Sequence, residues 1–190
     1  MLAPVTEPLM SAAAYLELER HAKVKNEFHF GKLLPMPGES KNANRIVTNL
    51  TLYFARPLRL QNFETFNHDV KVEVTPNGIY RYPDFVVAHK ADDADKYLIH
   101  YPILLGEVAS EESWKTDTVI KRREYLKLTS LRYYLIISQD ELHVELCSRN
   151  TEGAWQYEML NNPDEYLRFP LFNIEMQLAS LYEEVDFGEP

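Results

Sequence analysis

The chain has 190 residues, enough for one domain with a sizeable core and short for two. A hydrophobic share of 45% with 12% aromatics excludes a disordered polymer, and no apolar run reaches the roughly 20 residues of a membrane span. The net charge of −9 argues against a nucleic-acid partner only until it is resolved along the chain: residues 139–190 hold twelve acids and two bases, and residues 1–138 are nearly neutral.

The first residues, Met1 to Glu7, contain no basic segment followed by an apolar run, so no secretory signal is expected. Ser11 is placed to cap a helix through about Lys23, with Tyr15, Leu16 and Leu18 as its apolar side. Glu27 to Met36 reads as a strand ended by Pro35-Met36-Pro37-Gly38. Between about Asn42 and Leu58, Ile46, Val47, Leu50 and Phe54 recur at helical spacing. Val70, Val72 and Val74 alternate with polar residues, Pro76-Asn77-Gly78 makes a hairpin turn, and Ile79 to Ala88 returns as the partner strand. A polar loop, Asp92-Asp93-Ala94-Asp95, leads to a buried strand from Ile103 to Val108. A helix over 115–128 and a strand from Arg132 to Ser138 follow, then an antiparallel hairpin of Leu142–Ser148 with Ala154–Leu160. This order gives an α/β (α+β) fold: a mixed β-sheet core flanked by helices, with an added C-terminal antiparallel hairpin. It is expected to form one domain over 1–190, with its core over about 11–160 and an acidic segment at 161–190.

Two carboxylates break apolar strands. Asp84 follows Pro83 and opens Phe85-Val86-Val87-Ala88, and Glu107 closes Ile103-Leu104-Leu105-Gly106. A buried carboxylate is costly unless something neutralises it. Strands this close in sequence can pair and bring the two acids to one end of a sheet, where they would hold Mg²⁺, or Mn²⁺ in its place. Such an ion polarises a phosphodiester and acidifies water. A nearby lysine would stabilise the developing charge or orient that water. Asp117, Lys121 and Tyr125 share one helical face, with Val119 and Leu126 opposite, so an apolar face turned to the core would leave Lys121 in solvent. The basic cluster of Lys115, Lys121, Arg122, Arg123 and Lys127 reads as a solvated face.

Taken together, Tyr82-Pro83-Asp84, Gly106-Glu107-Val108-Ala109-Ser110 and Asp117-x-x-x-Lys121-x-x-x-Tyr125 resemble the Uma-two family of restriction-endonuclease-like proteins. That family is placed in the PD-(D/E)XK nuclease superfamily. Asn26-Glu27-Phe28 with Gly31-Lys32-Leu33, and Ser40 to Ile46 leading to Asn49-Leu50, extend the likeness over roughly residues 11 to 150. The resemblance implies a restriction-endonuclease-like fold. It makes Asp84 and Glu107 metal ligands, Glu27 an upstream acid that joins the metal shell or orients water, and Lys121 the catalytic lysine. Two departures stand out: Ala109 occupies the place of the superfamily motif's lysine, and Ala43 that of a family histidine.

Plainer readings compete. Glu107 is open to a salt bridge from an arginine such as Arg81. The six histidines show no metal-ligand spacing and read as solvated or core residues. Cys147, the only cysteine, reads as a small buried apolar residue, permits no disulfide within the chain and fits a reducing, cytoplasmic setting. Ser110 and Ser113 lack a nucleophile elbow, which leaves Ser110 as a backbone or water contact. The expected function is Mg²⁺-dependent hydrolysis of DNA phosphodiesters. The alternative is a nuclease-fold module that no longer cuts and serves nucleic-acid binding or assembly. A homodimer, in which the acidic C-terminal segment meets a second copy's basic helix, is a further expectation.

Overall fold

The computed structural model describes residues 9–92 and 95–188, so the first residues and Asp93-Ala94 of the polar loop lie outside the described residues. Ser11 caps α1 (Ala12–Glu19) by accepting the Ala14 N–H, and the helix ends earlier than its expected limit at Lys23. The strand expected over Glu27–Met36 is a hairpin of β1 (Asn26–His29) and β2 (Lys32–Pro35), because Phe30 and Gly31 turn the chain with φ of 44° and 92°. Ser40 caps α2 (Lys41–Arg59), which buries Ile46, Val47, Leu50 and Phe54 as foreseen, and Leu58 with them. An unforeseen strand, β3 (Phe63–Asn67), comes next. Then β4 (Lys71–Thr75) and β5 (Ile79–Arg81) form the expected hairpin.

The partner strand expected over Ile79–Ala88 divides at Tyr82-Pro83-Asp84. Pro83 has no N–H to continue a ladder. The chain therefore leaves β5 and re-enters as β6 (Phe85–His89) in a different sheet. β7 (Leu98–Ile99), β8 (Pro102–Ala109) and α3 (Glu111–Lys115) follow, then a π-helical turn over Thr116–Lys121, α4 (Arg122–Tyr125) and β9 (Tyr133–Ser138). β10 (Val144–Arg149) and β11 (Trp155–Leu160) make the predicted hairpin. The end of the chain holds a second hairpin, β12 (Tyr166–Phe169) with β13 (Ile174–Gln177), and α5 (Leu178–Leu181).

Among the described residues, one mixed sheet has the order β2-β1-β5-β4-β7 and the other β11-β10-β9-β8-β6-β3. Their parallel pairs are β4–β7 and β8–β9. The strands of the second sheet point side chains alternately to two cores, as a period of two requires. Phe85, Val87, Tyr133, Leu135 and Ile137 meet α2 on one face. Val86, Ala88, Tyr134 and Ile136 meet Val72, Val74 and Ile79 of the first sheet on the other. The predicted fold class holds, with the central strands buried on both faces.

The acidic segment is an integral layer. Leu167, Phe169, Phe172, Met176, Leu178 and Leu181 join the core beneath α2. Asn42 and Arg45 on α2 donate to the Asp186 and Glu184 carbonyls, and Asn49 to those of Leu181 and Glu183. These contacts engage the acidic end within its own chain, and the homodimer expectation gains no support from them. Nor is the basic cluster a fully solvated face, since Lys121, largely enclosed, pairs with Glu107 and Arg122 pairs with Glu145.

Candidate active site

The antiparallel register of β6 on β8 sets Phe85 opposite Gly106, so Asp84 comes to lie beside Glu107. The Val108 N–H donates to Asp84 Oδ2 at 2.6 Å, which closes the ladder with a side chain where Pro83 has ended it. A Cβ at Gly106 would stand 3.3 Å from Phe85 Cβ, so glycine permits this close pairing. The two carboxylates border one cavity of about 220 Å³, also lined by Glu27, Glu39, Asp117 and Lys121. All four predicted site residues therefore converge.

Glu107 is almost wholly buried, and both its oxygens have partners: Lys121 Nζ at 2.9 Å from Oε2 and the Tyr125 hydroxyl at 2.7 Å from Oε1. Burial lifts its pKa well above the ordinary range. Lys121 opposes the rise, while Asp117, Asp84 and Glu27 add to it. Burial likewise lifts Asp84 to about 6 against the pull of the Val108 N–H and Lys121. Lys121 shows the opposite balance. Burial alone would lower it, but Glu107, Glu27 and Asp117 hold it charged with a pKa above the usual lysine value. Its ammonium lies 2.9 Å from Asp117 and 4.0 Å from Glu27.

The condition that would have left Lys121 in solvent, an apolar face turned to the core, is not met, because the helix turns its charged face inward. Asp117 and Tyr125 are buried and Lys121 is largely enclosed beside them, whereas Val119 and Ile120 are exposed. The π turn between α3 and α4 carries Asp117 and Lys121, a widened geometry often found at functional sites. Ser110 accepts the Ser113 N–H and Ser113 accepts the Ser110 N–H, which makes this pair the cap of α3.

Arg81 is not the partner of Glu107. It bonds Glu27 Oε2 at 2.6 Å and forks onto both oxygens of Glu124. Glu27, on β1, also accepts the Tyr82 N–H, so Arg81 and Tyr82 anchor it at the back of the cavity.

Two residues beside Asp84 escaped the sequence reading. Glu39 precedes the α2 cap, His68 follows β3, and with Asp84 they place potential ligand atoms within 4.8 Å of one another. His68 was missed because β3 was missed. Phe63, Thr65 and Phe66 carry the strand propensity that would have disclosed it.

Comparison with known proteins places this arrangement. Residues 12–180 match the Uma2 family model, described as "Putative restriction endonuclease". The chain belongs to the Uma2 family. Two relatives from Synechocystis sp. resemble it in sequence. The uncharacterized protein sll1609 is 28% identical over 92% of this chain and all of its own length. The uncharacterized protein slr1290 is 30% identical over 78% of each chain. A crystal structure described as a putative nuclease belonging to DUF820, from Anabaena variabilis, superposes with a TM-score of 0.77. It is 15% identical and covers 92% of this chain and 98% of its own, so the Uma2 chain shares its fold. No helix among the described residues is long and apolar enough to cross a membrane.

Proposed function

We propose that this Uma2 protein is a divalent-metal-dependent nuclease that hydrolyses phosphodiester bonds in DNA. One observation carries the reading: among the described residues lining the cavity, five carboxylates (Glu27, Glu39, Asp84, Glu107 and Asp117) face a single ammonium, that of Lys121. Arg81, behind Glu27, does not make up the difference. All but the exposed Glu39 are buried or largely enclosed. Carboxylates in such excess must either take up protons or meet a cation, and the lifted pKa values of Asp84 and Glu107 express the first choice. Hard oxygen donors beside a solvent-sized cavity suit Mg²⁺ or Mn²⁺, with Asp84 and Glu107 to hold the ion. The ion would polarise the phosphodiester and acidify a water.

The chain's own groups divide the remaining work. Lys121 stays charged, so it serves as a fixed positive group for the developing phosphoryl charge and not as a proton acceptor. Tyr125, whose pKa burial lifts well above the usual phenol value, keeps its proton and holds Glu107 in place. Glu107 and Asp117, each 2.9 Å from the ammonium, set the position of Lys121, and Glu27 faces it at 4.0 Å. The family's description, "Putative restriction endonuclease", supports DNA as the substrate.

The test is cleavage of plasmid DNA with Mg²⁺ or Mn²⁺ by the parent, Asp84→Ala and Glu107→Ala, with circular dichroism to verify folding. Both variants are expected to lose activity while remaining folded, and chelation should silence the parent. Equal cleavage by all three would end the assignment. Metal binding without any cleavage by the parent would favour the non-cutting module.

A further inference from the structure

We infer that Glu39, His68 and Asp84 form a second cation position, one with a nitrogen donor, that prefers a first-row transition ion over Mg²⁺. It shares Asp84 with the proposed nuclease site, but it stands on the ligand set and not on cleavage. Three separate elements deliver the ligands: Glu39 from the turn into α2, His68 from the end of β3, and Asp84 from the start of β6. The β3–β6 ladder runs one step past its last strand pair, with the His68 N–H donating to the Asp84 carbonyl at 3.1 Å. His68 holds a φ of 52°, a left-handed conformation that few non-glycine residues adopt. The backbone is thus fixed where it brings the imidazole to the carboxylates.

The imidazole is poised as a ligand. Nδ1 is buried and, among the described residues, makes no aligned hydrogen bond, although Glu39 Oε1 is 2.6 Å away and Asp84 Oδ1 4.0 Å. Asp84 Oδ2 takes the Val108 N–H, which leaves Oδ1 turned to this group. The Glu39, His68 and Asp84 side chains are 34%, 24% and 18% exposed, with Glu39 on the solvent side, so an ion can enter from there. One imidazole with two carboxylates is a set that Zn²⁺ and Mn²⁺ accept with water in the remaining positions. Mg²⁺ favours oxygen donors throughout.

The experiment is Mn²⁺ titration of the full chain, read by electron paramagnetic resonance, with pulsed spectra to detect a coordinated ¹⁴N. The parent should show nitrogen coupling. His68→Asn, whose new side chain tolerates the left-handed backbone, should lose that coupling and bind Mn²⁺ at least about 10-fold more weakly, since outer-shell losses alone reach this size. Glu39→Gln should also weaken Mn²⁺ binding, and Mg²⁺ affinity should change little in either variant. No nitrogen coupling in the parent, or a His68→Asn variant with the parent's Mn²⁺ affinity, would overturn the inference and reduce the trio to an imidazolium between two acids. Cleavage assays on the same preparations report separately on the nuclease reading, since a chain that never cuts can still show the coupling.

Discussion

The two ends of the cavity treat charge differently. At the back, Arg81 is buried against Glu27 and Glu124, and its fork gives Glu124 two parallel bonds. At the front, Asp84 meets a backbone N–H and two side chains, Glu39 and His68, that stop short of saturating it. Lys121 and Glu107 lie between. A saturated cluster holds the fold together, whereas an unsaturated one can receive a ligand. Substitutions should separate these two roles.

The largest effect is expected at the closed end. Arg81→Met strands Glu27 and Glu124 in the interior, and breaking a buried pair in this way costs roughly 3–5 kcal/mol. Urea denaturation should show that loss, with part of it restored by adding Glu124→Gln. A loss below about 1 kcal/mol, the worth of an exposed pair, would erase the distinction. Asp84→Asn, at the open end, should cost little, because its amide oxygen can still accept the Val108 N–H.

Glu107→Gln, between the two ends, should separate chemistry from stability. Removing one preorganised electrostatic partner commonly costs about 10²–10³-fold in turnover. The same drop is expected in metal-dependent DNA cleavage, with a stability close to the parent's because the carboxylate is penalised by its burial. A large stability loss with intact cleavage would assign Glu107 to the scaffold.

The pH dependence of the metal-free protein probes the open end through the part that Asp84→Asn removes, because Glu107 is also lifted by its burial. Asp84 has its carboxyl lifted from the ordinary 3.8 to about 6 by burial. Between those values the folded chain binds more protons than the unfolded one, so stability is full below pH 4 and declines as pH rises through 6. The decline from this group is at most about 3 kcal/mol, and Asp84→Asn should flatten it in chelator-treated protein. A stability that rises across this window and is unaffected by the substitution would show that Asp84 is not desolvated.

Periodicity and turn chemistry disclosed the strands that carry Asp84 and Glu107, since β6 and β8 are buried on both faces and read as continuous apolar runs. Lys121 was visible as a residue but not in its orientation. Helical spacing assumes that the apolar side faces inward, and here the interior accepts Asp117, Lys121 and Tyr125 instead. The split of Ile79–Ala88 at Pro83 was written in the sequence, but which sheet each half joins depends on long-range pairing. His68 and Glu39 lay beyond local reading, because they meet Asp84 only through β3 and the approach to α2. The C-terminal layer was hidden by its acidic surface, although Leu167, Phe169 and Met176 alternate with polar residues in the manner of strands.

The smallest expected effect concerns how Lys121 is delivered between the two ends. α3 has only five residues and runs straight into the π turn, so it depends on its cap more than a long helix would. Ser110→Ala removes the acceptor for the Ser113 N–H and should cost about 1 kcal/mol, a fall in melting temperature of about 2–4 °C for a chain of this size. Mn²⁺ affinity should hold, because Ser110 supplies no ligand atom to the Glu39, His68 and Asp84 group. Ser110→Asn separates the cap from any role of the hydroxyl: asparagine caps as well as serine does, so stability and cleavage should both return. If Ser110→Asn keeps the stability but not the cleavage, the hydroxyl touches substrate or water directly, and the front of the cavity extends to the start of α3.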